Sequence, residues 1–147
     1  MDQTPNFPVF PMHFRGLLML SGIYTIAWSA FFKWFGTPLL YWLAKGDEVI
    51  TAIPPSYYGT FGLIVGLVIF FGSFYPVSWM YLILGGIAGK VILALCFIFG
   101  FLPDLGWNKR TGFHLIFNEL LWIIPLTVIY LRAKKVKIFL DSQPDPL

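Results

Sequence analysis

The sequence predicts an all-α, polytopic integral membrane protein built as a four-helix bundle. Three observations predict it. Hydrophobic residues make up 58% of the 147 and charged residues only 12%, against roughly 45–50% and about 25% in soluble chains. Four long apolar runs recur along the chain, each near the ~20 residues that cross a bilayer. The links between them hold Pro38, Pro54, Pro55, Pro76 and Pro103 together with the charges of Lys45, Asp47, Glu48, Asp104, Lys109 and Arg110. A soluble chain of this length cannot hide so much apolar surface, whereas a bilayer accepts it as solvent.

Residues 1–14 form an N-terminal interfacial segment. Its Pro5, Phe7, Pro8, Phe10 and Pro11 disfavour a regular helix and supply aromatic rings for the membrane surface. The first span is predicted over residues 15–34, uncharged from 17 to 32, with Lys33 placed to snorkel. It ends in bulky Phe31, Phe32, Trp34 and Phe35 rather than small cleavage-site residues, so it reads as a retained span and not a signal peptide. Residues 36–55 form a polar-interrupted connection in which Leu39, Leu40, Trp42 and Leu43 make a short interfacial helix. The second span is predicted over 57–75, flanked by tyrosines at headgroup level and ended by Pro76. The third, over 77–102, follows with almost no loop and forms an antiparallel hairpin with the second. A tight polar loop over 103–112 leads to the fourth span, 113–131. The bundle thus occupies 15–131, and residues 132–147 form a tail, basic and then polar.

Four spans put both termini on one side. The tight basic cluster Arg132, Lys134, Lys135 and Lys137, directly after the last span, predicts that this side is cytoplasmic. A net charge of +3, with its basic residues beside a span, argues against a nucleic-acid partner. The single cysteine, Cys96, lies in an apolar run and can form neither an internal disulfide nor a dithiol pair. Gly62 and Gly66 on the second span, and Gly85 and Gly89 on the third, are spaced for close helix contact within the chain or between copies.

Lys90 is the most informative residue, because it sits mid-span where a lysine costs roughly 2.5–3.5 kcal/mol to insert. It is either a structural lysine satisfied by carbonyls, water or an anionic partner, or a contact for a ligand, proton or substrate. Glu119 is its natural counterion. With spans ending at 102 and starting at 113, Lys90 lies about 18 Å below the membrane face and Glu119 about 9 Å. The depths predict a bridging water, polar group or ligand between them rather than a direct pair. His114, Asn118, Trp122 and Pro125 follow at steps of four, four and three, which places them on one helical stripe with Glu119 off it. A polar pocket lined by His114, Asn118 and Glu119 is the sharper reading, and interhelical packing the plainer one. The two histidines, His13 and His114, begin spans on opposite faces, so no metal site is expected. No nucleophile triad, phosphate-cradling glycine loop or zinc spacing is present.

Four short spans, a third span with Gly-x-x-Gly-Lys over 86–90 and a fourth reading Asn-Glu-Leu-Leu-Trp-Ile-Ile-Pro over 118–125 resemble the DoxX-like group of small bacterial membrane proteins. The resemblance covers most of the chain. It implies a four-helix bundle in the bacterial cytoplasmic (inner) membrane, with links to quinone-dependent oxidation or membrane redox complexes. The function expected is a non-catalytic accessory subunit, or a module binding a lipid-like or quinone-like molecule within the bilayer. No cofactor is expected beyond such a quinone or lipid. The partners expected are membrane lipids, a larger membrane complex or further copies of the chain. The alternative is a membrane enzyme or proton-coupled transporter using Lys90 and Glu119.

Overall fold

The computed structural model describes residues 8–144, and over them the chain is helix joined by turns. Residues 1–7, with Pro5 and Phe7, and the terminal Asp-Pro-Leu lie outside the described residues. α1 is Met12–Trp34, α2 Gly36–Leu43, α3 Pro55–Gly72, α4 Met80–Gly100, α5 Leu102–Leu105, and α6 the continuous helical rod Lys109–Asp141. Four of these, α1, α3, α4 and α6, are long and apolar enough to cross a membrane. Their outward faces carry Leu20, Ile23, Ile64, Leu67, Val91, Leu95, Phe99, Ile124 and Val128, all well exposed. Such a belt would aggregate in water and is what lipid requires. The protein is an all-α, multi-pass membrane four-helix bundle.

Local chemistry sets the ends of each helix. Pro11 precedes α1 in an extended conformation, and Pro55 opens α3 at a position where its missing N–H costs nothing. The second span stops at Gly72, short of the predicted residue 75. Residues 73–79 form turns, with the Ser73 hydroxyl donating to the Phe70 carbonyl at 2.6 Å. α6 begins at Lys109, four residues before the predicted 113. Asn108 caps it, accepting from Arg110 N–H at 2.8 Å and Thr111 N–H at 3.1 Å while the Thr111 hydroxyl accepts from Asn108 N–H at 2.9 Å. At the other end α6 runs ten residues past the predicted 131, so the basic cluster is helix rather than tail. Ala, Lys and Arg favour helix, and Lys137 meets Asp141 one turn on at 3.7 Å.

The helices pack in chain order: α1 on α3, α3 on α4, and α4 on α6, with α1 and α6 meeting through side chains. The α1–α3 seam is the closest. A Cβ on Gly66 would stand 2.9 Å from the Ile26 nitrogen, and one on Gly22 at 2.8 Å from Phe70 backbone. Gly62 receives the Ser29 side chain, and Gly59 lies against the backbone of Ser29 and Lys33. Gly89 takes the Val65 side chain on the α3–α4 seam. Gly85 does not belong to this seam: it is exposed, with only a Val68 methyl at 3.7 Å. The buried face of α4 runs through Gly86, Gly89, Lys90, Leu93 and Phe97, one position round from the predicted Gly85–Gly89 pair.

At the end remote from the termini, Asn108 donates to the Leu43 carbonyl at 2.7 Å and Arg110 to the Trp42 carbonyl at 2.8 Å. They satisfy the last carbonyls of α2 and cap the bundle. At the other end Arg132 donates to the Val9 carbonyl at 2.8 Å, tying the two ends of the chain to one face.

Candidate functional site

Six polar side chains from four helices converge inside the bundle: Tyr24 (α1), Tyr58 (α3), Lys90 (α4), and His114, Asn118 and Glu119 (α6). All but Tyr24 are buried, with Lys90 at 1% exposure and Glu119 at 4%. The cause of the convergence lies in α6. Its segment His114–Leu120 is a π-helix, and Leu121 N–H bonds back five residues to the Ile116 carbonyl. In that register residues five apart are neighbours, so His114 and Glu119 share a face, with Nε2 and Oε1 3.9 Å apart. The predicted α-helical stripe with Glu119 off it is corrected accordingly. Asn118 and Glu119 both point inward.

Lys90 and Glu119 form a direct pair, Nζ to Oε2 3.6 Å, and Lys90 also donates to the Asn118 carbonyl at 2.8 Å. The expectation of an intervening group fails because α4 ends at Gly100 and α6 begins at Lys109, which sets the two residues level with each other. Lys90 lies ten residues before the end of α4, and Glu119 ten after the start of α6. Both therefore stand about 15 Å along their helices from the same end of the bundle. The carbonyl that Lys90 takes belongs to the π-helical segment itself.

The remaining contacts form one chain. Tyr58 Oη donates to Glu119 Oε1 at 3.0 Å and lies 2.9 Å from His114 Nε2. Asn118 Nδ2 lies 2.8 Å from His114 Nδ1, and Tyr24 donates to Asn118 Oδ1. Hydrogen counting assigns the tautomer. Tyr58 has one proton and gives it to Glu119, so His114 Nε2–H must donate to Tyr58 and Nδ1 must accept from Asn118. Every donor then runs one way, from Tyr24 through Asn118, His114 and Tyr58 to the Glu119 carboxylate. Among the described residues Glu119 Oε2 has no hydrogen-bond partner, and the Lys90 charge compensates it.

Aromatic rings seal the cluster. Phe97 and Phe32 lie 4.6 and 4.9 Å from the His114 ring, with Trp28 at 5.9 Å. Trp122 is half-buried and packs on the Tyr24 ring at 5.6 Å. It supports the site from outside the polar chain. Tyr58 has a second role: with Ile53, Tyr57, Phe61, Ile92, Leu93 and Cys96 it lines an apolar groove of about 210 Å³ between α3 and α4.

Sequence reasoning found Lys90, His114, Asn118 and Glu119 and missed Tyr24 and Tyr58. Tyr58 stands beside Tyr57 at a span end and reads as part of the interfacial belt. The adjacent pair held the available signal, since two neighbouring helical residues cannot both face lipid squarely, and here Tyr57 is exposed and Tyr58 buried.

Compared with protein families, characterised proteins and solved structures, the chain matches none.

Proposed function

We propose that this chain is a small DoxX-like protein of the bacterial cytoplasmic membrane. In this reading it binds a lipid-like or quinone-like molecule without transforming it, alone or as an accessory subunit of a larger membrane complex. One observation carries the reading. Tyr58 joins the buried polar chain to the wall of an apolar groove, so a bilayer-borne amphiphile seated there lies against a ring whose hydroxyl is held by His114 and Glu119. A non-catalytic role is supported by the closure of Lys90 and Glu119 on each other and on protein partners, both almost wholly buried. The alternative, an enzyme or proton-coupled transporter using Lys90 and Glu119, is favoured by the one-way hydrogen-bond chain ending on Glu119.

Cys96 lies in the groove and is the chain's single cysteine, so its thiol reports on occupancy directly. In bilayers of neutral phospholipid, a prenylated quinone or a single-chain lipid should slow maleimide modification of Cys96 several-fold. Tryptophan placed at Phe61 should remove that protection. An unchanged rate across both ligand classes rejects the groove. Proton uptake driven by an imposed gradient, lost in Glu119→Gln, would favour the transporter reading instead.

Both termini are assigned to the cytoplasm, supported by Arg15, Arg132, Lys134, Lys135 and Lys137 on their face. A reporter fused after Leu147 should read cytoplasmic and a tag near Gly106 external. The opposite labelling would invert the orientation.

A further inference from the structure

The end of the bundle remote from the termini carries a recess of about 660 Å³ that is separate from the Tyr58 groove. Lys45, Trp107 and Lys109 stand at its rim, and Phe113, Ile116 and Phe117 form a wall down α6. The rim is positive and uncommitted. Among the described residues neither Lys45 nor Lys109 has a carboxylate within ion-pairing distance. The charges around them are spoken for or directed elsewhere. Arg110 is bound to the Trp42 carbonyl and stacked 4.9 Å from its ring, and Asp104 accepts from Ala52 N–H at 3.1 Å. Asp47 and Glu48 are exposed in the loop after Lys45, and Glu48 lines a different groove with Tyr41. The position of Lys45 is set by its turn: its φ is 57°, its N–H donates to the Trp42 carbonyl at 3.2 Å and Gly46 N–H donates to Tyr41 at 2.9 Å.

The wall is apolar and open. Phe113, Ile116 and Phe117 are between 39% and 49% exposed, and the two phenylalanine rings lie 5.3 Å apart. Lys109 to Phe117 spans about 12 Å along the helix, the distance from the headgroup layer into the upper acyl region. Positive charge at headgroup level above an aromatic wall at acyl level matches an amphiphile with a negative head.

We infer that this recess holds one anionic phospholipid, its headgroup phosphate between the ammonium groups of Lys45 and Lys109 and an acyl chain along Phe113, Ile116 and Phe117. Two ammonium groups with no carboxylate in ion-pairing distance favour a headgroup of net negative charge over a zwitterionic one. The inference does not depend on what occupies the Tyr58 groove.

The test uses the full chain in phosphatidylcholine bilayers containing a minor fraction of brominated lipid, either phosphatidylglycerol or phosphatidylcholine. The emission of Trp107 is taken as the difference from Trp107→Phe. Brominated phosphatidylglycerol should quench that component several-fold more per mole than brominated phosphatidylcholine. The double variant Lys45→Gln with Lys109→Gln should abolish the preference with its melting midpoint unchanged, since both lysines are exposed. Equal quenching by the two lipids overturns the inference, and so does a preference that survives in the double variant. Millimolar inorganic phosphate should not relieve the quenching. Relief would show a simple anion contact and would also overturn the lipid assignment.

Discussion

Tyr58 bears more of the site than any other hydroxyl, because one oxygen serves two buried partners. It donates to Glu119 at 3.0 Å and accepts from His114 at 2.9 Å, so Tyr58→Phe strands an imidazole N–H and strips a carboxylate oxygen. An unsatisfied buried polar group costs about 1–3 kcal/mol. Tyr58→Phe should therefore destabilise the bundle by about that amount, read as a lowered unfolding midpoint in mixed micelles. Tyr24→Phe, which releases only Asn118 Oδ1, should cost less. Equal, negligible losses would mean that the hydroxyls are dispensable. The charged and amide members of the site were legible because Lys90, His114, Asn118 and Glu119 interrupt apolar runs, where each polar group must be explained. The tyrosines were not, since a phenol suits both the interface and the interior.

At the scale of elements, the π-segment of α6 is the feature that builds the site, and the letters His-Leu-Ile-Phe-Asn-Glu-Leu do not announce it. Their pattern is compatible with an α-helix, and only the interior contacts of His114, Asn118 and Glu119 make the wider turn worthwhile. The capping box at Asn108 and Thr111 likewise starts α6 four residues before the predicted span and sets Glu119 ten residues into the helix. Glycine spacing was more informative. It placed Gly62, Gly66 and Gly89 in helix seams correctly and failed at Gly85, because the face of α4 that turns inward is set by packing against α3. The contrast is testable. Gly66→Ala pushes a methyl against backbone of Gly22 and Ile26, which cannot rotate away, and should cost about 1–3 kcal/mol. Gly85→Ala meets one methyl at ordinary contact distance and should be neutral. Unfolding titrations of the two variants side by side decide the point, and equal stability would remove Gly66 from the seam.

For the molecule as a whole, composition and four apolar runs were enough to predict a multi-pass bundle, because few other structures satisfy the backbone of such a chain in lipid. The hairpin of the second and third spans was legible in their missing loop, whereas the close seam of α1 on α3 and the role of the polar cluster in joining the spans were not. Lys90 of α4 meets Glu119 and the Asn118 carbonyl of α6, and Tyr58 brings in α3. The Lys90–Glu119 pair works as a unit that, with Tyr58, holds three spans together. Removing one partner leaves the other charge buried and uncompensated, at about 3–5 kcal/mol, whereas removing both relieves the penalty. The direct measurement is a double-mutant cycle on the unfolding free energy in one membrane mimic, with Lys90→Met, Glu119→Gln and the two combined. The predicted result is a marked loss for Lys90→Met, partial recovery in the combined variant and a coupling of about 0.5–3 kcal/mol. Strictly additive losses, or a Lys90→Met bundle as stable as the parent, would contradict it.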